Sequence, residues 1–372
     1  MAGCDINHER SARLRNFQGL ASATLIGSMP HKDRDRAIDL VLRSVPDIPV
    51  WPQLPVYPAE QMMVQYIEGL PGLVREQDRL YVRTDGQDLD QETYSFYEEY
   101  LAVEGGAAVE SSRFKMGPET GATFELFLKT LAGAQKNYRA VKGQVVGPFT
   151  LLSGLKDQDG RALLFDERFA DMVPKLLACK ARWQIERLKA FGVPVIIFLD
   201  EPGLAGFGSS AFITVTAEQV RTLFADVIDA IHAAGALAGI HVCANTDWLL
   251  GFQSDFDIIN FDAFTYFDRF VIYRKACLEF LRRGGNLAWG IIPTTDVESI
   301  MAATPEDLAG KWTAQVRALA SDDMPVEKIL SQSILTPSCG CGSMPETAAE
   351  RVLDLVNATS RIVAGGVNRA AG

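Results

Sequence analysis

The sequence predicts an α/β protein folded as a (β/α)8 TIM barrel, one domain over residues 1–372 with a segment inserted after the second strand. Three observations lead there. Short apolar runs rich in Val, Ile and Phe alternate with longer amphipathic stretches, which is the pattern of parallel α/β architecture. Eight such runs can be counted, and eight β-units favour a closed barrel over an open sheet. Residues able to do chemistry (His, Cys, Asp) stand at the carboxyl ends of the runs, where barrel enzymes keep their sites.

The expected strands are Ala23–Gly27, Pro49–Leu54, Lys142–Val146, Pro194–Leu199, Ala236–Val242, Asp257–Phe261, Asn286–Ile292 and Lys328–Leu335. Helical patterns fill most gaps: Asp33–Arg43, Glu167–Ala190, Ala217–Ala234, Phe267–Arg283, Pro305–Ala320 and Pro345–Val363. Thr216, with Glu218 and Gln219 soon after, reads as a helix start, and Gly192, Gly235 and Gly284–Gly285 read as helix stops. The segment from about 55 to 140 carries a hairpin strand (Leu80–Arg83) and helices (Gln91–Val103, Thr120–Leu131). It begins at the carboxyl end of a strand, so it is expected to cover the barrel mouth.

With 372 residues, 48% of them hydrophobic and 22% charged, the chain can bury a large core. A formal net charge of −11 argues against nucleic acid and anionic membranes as main partners. No apolar run reaches the ~18 residues that a membrane helix needs. The stretch from Met1 to Phe17 has no apolar signal core, so the expected location is cytoplasmic. There the six cysteines stay reduced. Cys179 and Cys277 lie in helical patterns as small hydrophobes and Cys4 lies in the tail. Cys243, Cys339 and Cys341 lie on polar loops, where metal binding or catalysis outranks a disulfide.

The strongest motif is His241-Val242-Cys243, following the apolar run Ala236–Ile240. Residues two apart on a strand share a face, so this imidazole and thiolate can meet one ion, and N and S are the donors Zn2+ prefers. The second is Thr336-Pro337-Ser338-Cys339-Gly340-Cys341-Gly342, after the last strand, where glycines allow close backbone approach. The third is Asp262, at the end of Asp257–Phe261: a fourth ligand, a partner of His241 from outside the ligand sphere, or a helix cap. Asp200-Glu201-Pro202 puts two carboxylates after an apolar strand. Burying them requires a cation, such as a substrate ammonium, unless one of them caps a helix. In Ile26-Gly27-Ser28-Met29-Pro30, Gly27 and free N–H groups nearby could hold a carboxylate, or simply end the strand.

Together these stretches, with Gly147-Pro148-Phe149-Thr150, resemble the C-terminal catalytic barrel of cobalamin-independent methionine synthase, in its stand-alone core form. They run in family order across almost the whole chain. The wider superfamily includes uroporphyrinogen decarboxylase and zinc corrinoid:thiol methyltransferases. The resemblance implies His241, Cys243 and Cys339 as zinc ligands. At the position of the family's fourth ligand, a glutamate, stands the shorter Asp262, which leaves the choice between Asp262 and Cys341 open. It further implies Asp200, with Glu201 beside it, for the amino group of homocysteine, and Ile26, Gly27 and Ser28 for its carboxylate. Asp200 and Asp262 are the catalytic carboxylates of this reading.

Three departures qualify it. The family's second, folate-binding barrel has no counterpart here. Its methyl-transfer histidine after the seventh strand is missing from Gly290-Ile291-Ile292-Pro293-Thr294-Thr295; the histidines are His8, His31, His232 and His241. A family glutamate that also binds the amine is replaced in Trp51-Pro52-Gln53-Leu54-Pro55, with Gln53 nearest. Leaving N5 of folate requires an acid, whereas leaving cobalt does not. The expected donor is therefore a methylated corrinoid, free or on a corrinoid protein, and the expected acceptor a small thiol, homocysteine first. Three other readings stay open on the sequence: a different acceptor thiol, a decarboxylase of the uroporphyrinogen type, and a non-catalytic barrel that binds zinc or a thiol and docks to a corrinoid protein.

Overall fold

Runs of β-branched and aliphatic residues become the strands of one parallel sheet in the computed structural model, which describes residues 17–76, 79–134 and 136–370. Cys4 and His8 lie outside the described residues. The strands are β1 (Ser22–Ala23), β2 (Leu73–Glu76), β3 (Arg79–Val82), β4 (Val141–Val146), β5 (Val195–Asp200), β6 (Leu237–Val242), β7 (Ile258–Phe261), β8 (Asn286–Ile292) and β9 (Ser333–Pro337). Seven of them form a curled parallel sheet in the order β1-β9-β8-β7-β6-β5-β4, and β2 pairs with β3 as an antiparallel hairpin.

The expected second strand, Pro49–Leu54, forms no ladder. It makes isolated parallel bridges instead: Ser28 with Gln53 and Val50 with Lys142. Pro49 and Pro52 explain this, since neither has an N–H to donate. The stretch still makes backbone bonds on both sides: Gln53 N to Gly27 O (3.0 Å), Met29 N to Gln53 O (2.8 Å) and Lys142 N to Pro49 O (2.9 Å). This stretch therefore touches both the β1 end and the β4 edge of the sheet.

Two expected elements shift. Lys328–Leu335 splits into a helix, Val326–Ser331, and β9, which starts later. Pro325 stands at the cap of that helix, and Ile329 and Leu330 bury against the core, which helical spacing allows. The helix expected at Phe267–Arg283 begins at Ala263 and breaks at Val271–Tyr273 before Arg274–Arg282. The other helices fall close to expectation. Thr216 and Gln219 form a reciprocal capping box at Ala217–Ala233, and Gly192, Gly235 and Gly284 take the left-handed conformation after their helices.

The inserted segment packs mainly against outer helices and against its own early part. Helix Gln87–Glu104 packs on the outer helix Glu167–Leu188, and Ala122–Gly133 packs on Arg34–Ser44. The hairpin joins the loop after β4 through Val82 N to Lys156 O (2.9 Å). In its early part, Glu60 accepts from Leu54 N, Gln65 from Gln53 Nε2, and Tyr66 OH donates to Gln144 O on β4.

Strand periodicity fixes which side chains share the inner face. Ile48, Ala140, Ile196, Phe198, Leu237, Ile258, Ala288 and Ile334 form a separate apolar cluster, closed by Phe17. One or two steps further along the same faces come Lys142, Gln144, Asp200, His241, Asn260 and Thr336, all buried. A dry apolar plug thus lies beneath a polar layer at the carboxyl ends. No helix among the described residues is long and apolar enough to cross a membrane.

Candidate metal centre

His241 and Cys243 leave the end of β6 on one face, and Cys339 arrives from the loop after β9. Their ligand atoms all lie within 4.8 Å of one another. The loop carrying Cys339 is held by the first-strand turn: Cys341 N donates to Ser28 O (2.8 Å) and Gly342 N to Ser28 Oγ (3.3 Å). Gly340 is required here, because a Cβ at that position would come within 2.1 Å of Ser28 Oγ.

Asn260 orients the imidazole. Its Nδ2 donates to Ala288 O (2.9 Å) and to Thr336 Oγ1 (2.8 Å). The Ala288 carbonyl can only accept, so the amide nitrogen must face it and Oδ1 must face His241 Nδ1. Nδ1 is then the protonated nitrogen, and the Nε2 lone pair is left for the two sulfurs or a metal. Burial opposes a charge on His241, but Cys243 and Asp200 beside it outweigh burial and raise its pKa. A hydrogen bond from Cys339, aided by His241, holds the Cys243 thiol low, and the same bond with burial drives Cys339 high. Three such donors within reach of one another suit a dication, whose binding would displace thiol protons.

Asp262 and Cys341 do not join this group. Asp262 Oδ1 accepts from Thr265 N (2.8 Å) and caps the helix Ala263–Phe270. Burial raises its pKa, its cap bonds oppose the rise, and the charge at Cys243 adds to it. Cys341 is buried in the main apolar core, where desolvation lifts its thiol to about 12.

Asp200 ends β5 beside His241 in register. It is buried, and Oδ1 has no hydrogen-bond partner among the described residues. Burial raises it to about 6, against the pull of His241 and Lys142. Glu201 is engaged differently. Its oxygens accept from Phe149 N (3.0 Å), Thr150 N (2.8 Å) and Thr150 Oγ1, so it closes the start of helix Pro148–Gly154. Burial still pushes it up to about 7.

Ile26, Gly27, Ser28 and Gln53 belong to the turn after β1 and the stretch bridged to it. Gly27 has φ = 144°, and a Cβ there would also crowd the Gln144 amide at 3.1 Å. Gln53 Nε2 donates to Gln65 Oε1 (2.6 Å) and Tyr66 OH (3.1 Å), and Tyr66 OH donates to Gln144 O (2.8 Å).

The fold has solved counterparts. A B12-independent methionine synthase from Shewanella sp. W3-18-1, in complex with selenomethionine, matches with TM-score 0.52 at 15% identity, over 94% of this chain and 99% of that one. A methyltransferase from Methanosarcina mazei matches with TM-score 0.52 at 13% identity, over 95% and 98%. At such identities the likeness is one of fold. No family model matches the sequence, and neither does any curated protein.

Sequence reasoning missed Asn260, Lys142, Gln144, Tyr66 and Thr336. Three of them carried a readable signal: Lys142 and Gln144 in Val-Lys-Gly-Gln-Val-Val, and Asn260 in Ile-Ile-Asn-Phe, are polar residues at inward positions of otherwise apolar strands.

Proposed function

We propose that this chain is a zinc-dependent methyltransferase that methylates the sulfur of a small thiol, homocysteine in the first place, with a methylated corrinoid as donor. The observation that carries the reading is the convergence of His241, Cys243 and Cys339 at the carboxyl ends of the strands. The donor set fits the ion: one imidazole nitrogen oriented by Asn260, and two cysteine sulfurs close beside it. Zn2+ bound there would supply a Lewis acid that lowers the pKa of an incoming thiol while leaving its sulfur nucleophilic.

The chain's own residues do the rest. Asn260 holds the His241 ring so that Nε2 faces the sulfurs. Three protein donors leave a fourth position for the acceptor, as in catalytic zinc sites; for Asp262 to take it, that carboxylate would have to leave the Thr265 N–H. Asp200, with a bare buried oxygen, receives the substrate ammonium. The Ile26–Ser28 turn, with Gln53 bridged to it, would receive the carboxylate. Glu201 supports this wall through the helix it caps.

The corrinoid reading is supported by what stands on the loop after β8. Residues 293–296 include no histidine, and among the described residues His31 and His232 are committed elsewhere, to Glu350 and Asp257. A methyl group leaving a folate nitrogen needs an acid in that place; one leaving cobalt does not. A corrinoid, free or carried by a partner protein, meets this condition. We further infer that the sheet closes as an eight-stave barrel with residues 49–53 as the second stave, supported by the bridges on its two sides.

The test is elemental analysis followed by methyl transfer from methylcobalamin and from methylfolate to a panel of thiols. The expected result is a stoichiometric zinc and transfer from methylcobalamin to homocysteine. Absence of bound metal, or no transfer to any thiol by the zinc-loaded protein, overturns the reading.

A further inference from the structure

A lysine stands inside the polar layer where the chemistry above has no need of one. Lys142 on β4 is fully buried, points to the inner face, and lies one step above Ala140 of the apolar plug. Burying an ammonium is costly, so its contacts define its role. Nζ donates to Ile26 O at 2.8 Å and lies 4.4 Å from the centre of the Phe198 ring. A further contact to Gln144 Oε1, at 3.5 Å, is at the limit of a hydrogen bond. Burial pulls its pKa down to about 8, and the charge of Asp200 works against that pull. Lys142 is therefore still a cation near neutrality, and its strongest hydrogen bond is to the backbone of the Ile26–Ser28 turn.

That turn has an opening in it. Gly27 O and Met29 N are taken by Gln53 and Ser28 O by Cys341 N, but among the described residues the N–H groups of Gly27 and Ser28 have no backbone acceptor. Two successive unbonded amides beside a buried positive charge form a local anion cradle. We propose that Lys142 is a positioning residue for the carboxylate of a zwitterionic thiol, acting by tethering the Ile26 carbonyl so that the Gly27 and Ser28 amides face the ligand. The inference rests on the thiol-acceptor reading above and deepens it: Asp200 and the Lys142-held turn together select an amino acid thiol over a neutral one.

The experiment uses Co2+-substituted full-length protein and reads ligand binding through the thiolate-to-cobalt absorption. Homocysteine, its decarboxylated analogue 3-mercaptopropylamine and propanethiol are titrated against wild type, Lys142→Met and Lys142→Gln. A lost charge-assisted contact is worth about 10- to 100-fold. Both variants should weaken homocysteine by about that factor and leave propanethiol and metal content unchanged. In wild type, 3-mercaptopropylamine should bind more weakly than homocysteine by a similar factor. This last comparison needs no variant to fold. Equal affinity of wild type for homocysteine and 3-mercaptopropylamine overturns the proposal, as does an unchanged homocysteine-to-propanethiol ratio in either variant. If wild type binds none of the three thiols, the failure lies with the thiol-acceptor reading instead.

Discussion

Replacing Asn260 with alanine should weaken zinc binding far more than the loss of a residue outside the ligand set would suggest. Asn260 is fully buried and spends its amide on His241 Nδ1, Ala288 O and Thr336 Oγ1. Alanine removes all three bonds. Without Asn260 the imidazole can rotate and change tautomer, and the lone pair no longer faces the sulfurs. Removing such a partner costs about 10- to 100-fold in metal affinity, which is about 1.4 to 2.7 kcal/mol. The metal-free protein should lose on the order of 2–4 kcal/mol as well, since buried groups on three elements are orphaned. Asn260→Asp separates the two effects. A carboxylate still accepts from Nδ1–H, so zinc should be held better than in the alanine variant. It also sets an oxygen against Ala288 O, so stability should still fall. Chelator competition measures the first quantity, and urea unfolding of metal-free protein the second. If Asn260→Ala keeps zinc within about threefold of wild type while stability drops, Asn260 is only a packing residue and the tautomer argument is refuted.

Other outcomes follow from the same geometry. Cys243→Ser and Cys339→Ser should each strip zinc and abolish methyl transfer, by elemental analysis and activity, because a serine hydroxyl is a poor zinc donor; retained zinc in Cys339→Ser would move the ligand role to Cys341. Gly340→Ala should leave the fold intact but lower zinc affinity by about tenfold or more, since its Cβ would collide with Ser28 Oγ and shift the loop that carries Cys339; unchanged affinity in a chelator titration would show that the loop position does not matter. Lys180→Met should stabilise the protein at pH 7. The Lys180 ammonium is fully buried without a hydrogen-bond partner among the described residues, and burial lowers its pKa to about 8. The unfolded chain then holds more protons than the folded one between pH 8 and 10.5, so wild-type stability should rise with pH across that window. At about 1.4 kcal/mol per pH unit the Lys180 share is about 3 kcal/mol, and the variant should lose that share while keeping the similar one from Lys142. Urea unfolding across pH checks the sign, and a less stable variant at pH 7 would contradict it.

The sheet could be read from the sequence where its residues left no alternative. Val195–Asp200, Leu237–Val242 and Asn286–Ile292 are mainly apolar runs, each with one polar residue at or near an end, too short for a buried helix and bounded on at least one side by glycine or proline, and they appear as strands. Legibility failed where two principles competed. At Pro49–Leu54 the apolar pattern of a strand met two prolines that remove ladder donors, and isolated bridges resulted. At Lys328–Leu335 a helix took the first half, because Ile329 and Leu330 could be buried from a helix as well as from a strand.

The site divides along a similar line. His241, Cys243 and Cys339 could be picked out because sulfur and imidazole at strand ends are chemically conspicuous whatever surrounds them. Glu201 and Asp262 could not be placed, because a carboxylate after a strand serves equally as ligand or cap. The structure gives each of them backbone N–H groups to accept from. Asn260 and Lys142 were hidden for a different reason: each is a single polar residue in an apolar run, and its meaning depends on the neighbouring strands. Asn260 matters because Ala288 O lies on one side of it and His241 on the other; Lys142 matters because the first-strand turn crosses above it. Period-two alternation locates such residues on the inner face, but only the register of β6, β7, β8 and β9 says what they meet. A polar residue at an inward position of an apolar strand is therefore the sequence signal to follow in a sheet of this kind, because burial obliges it to bond to something, and here that something is the His241 imidazole or the backbone of the Ile26–Ser28 turn.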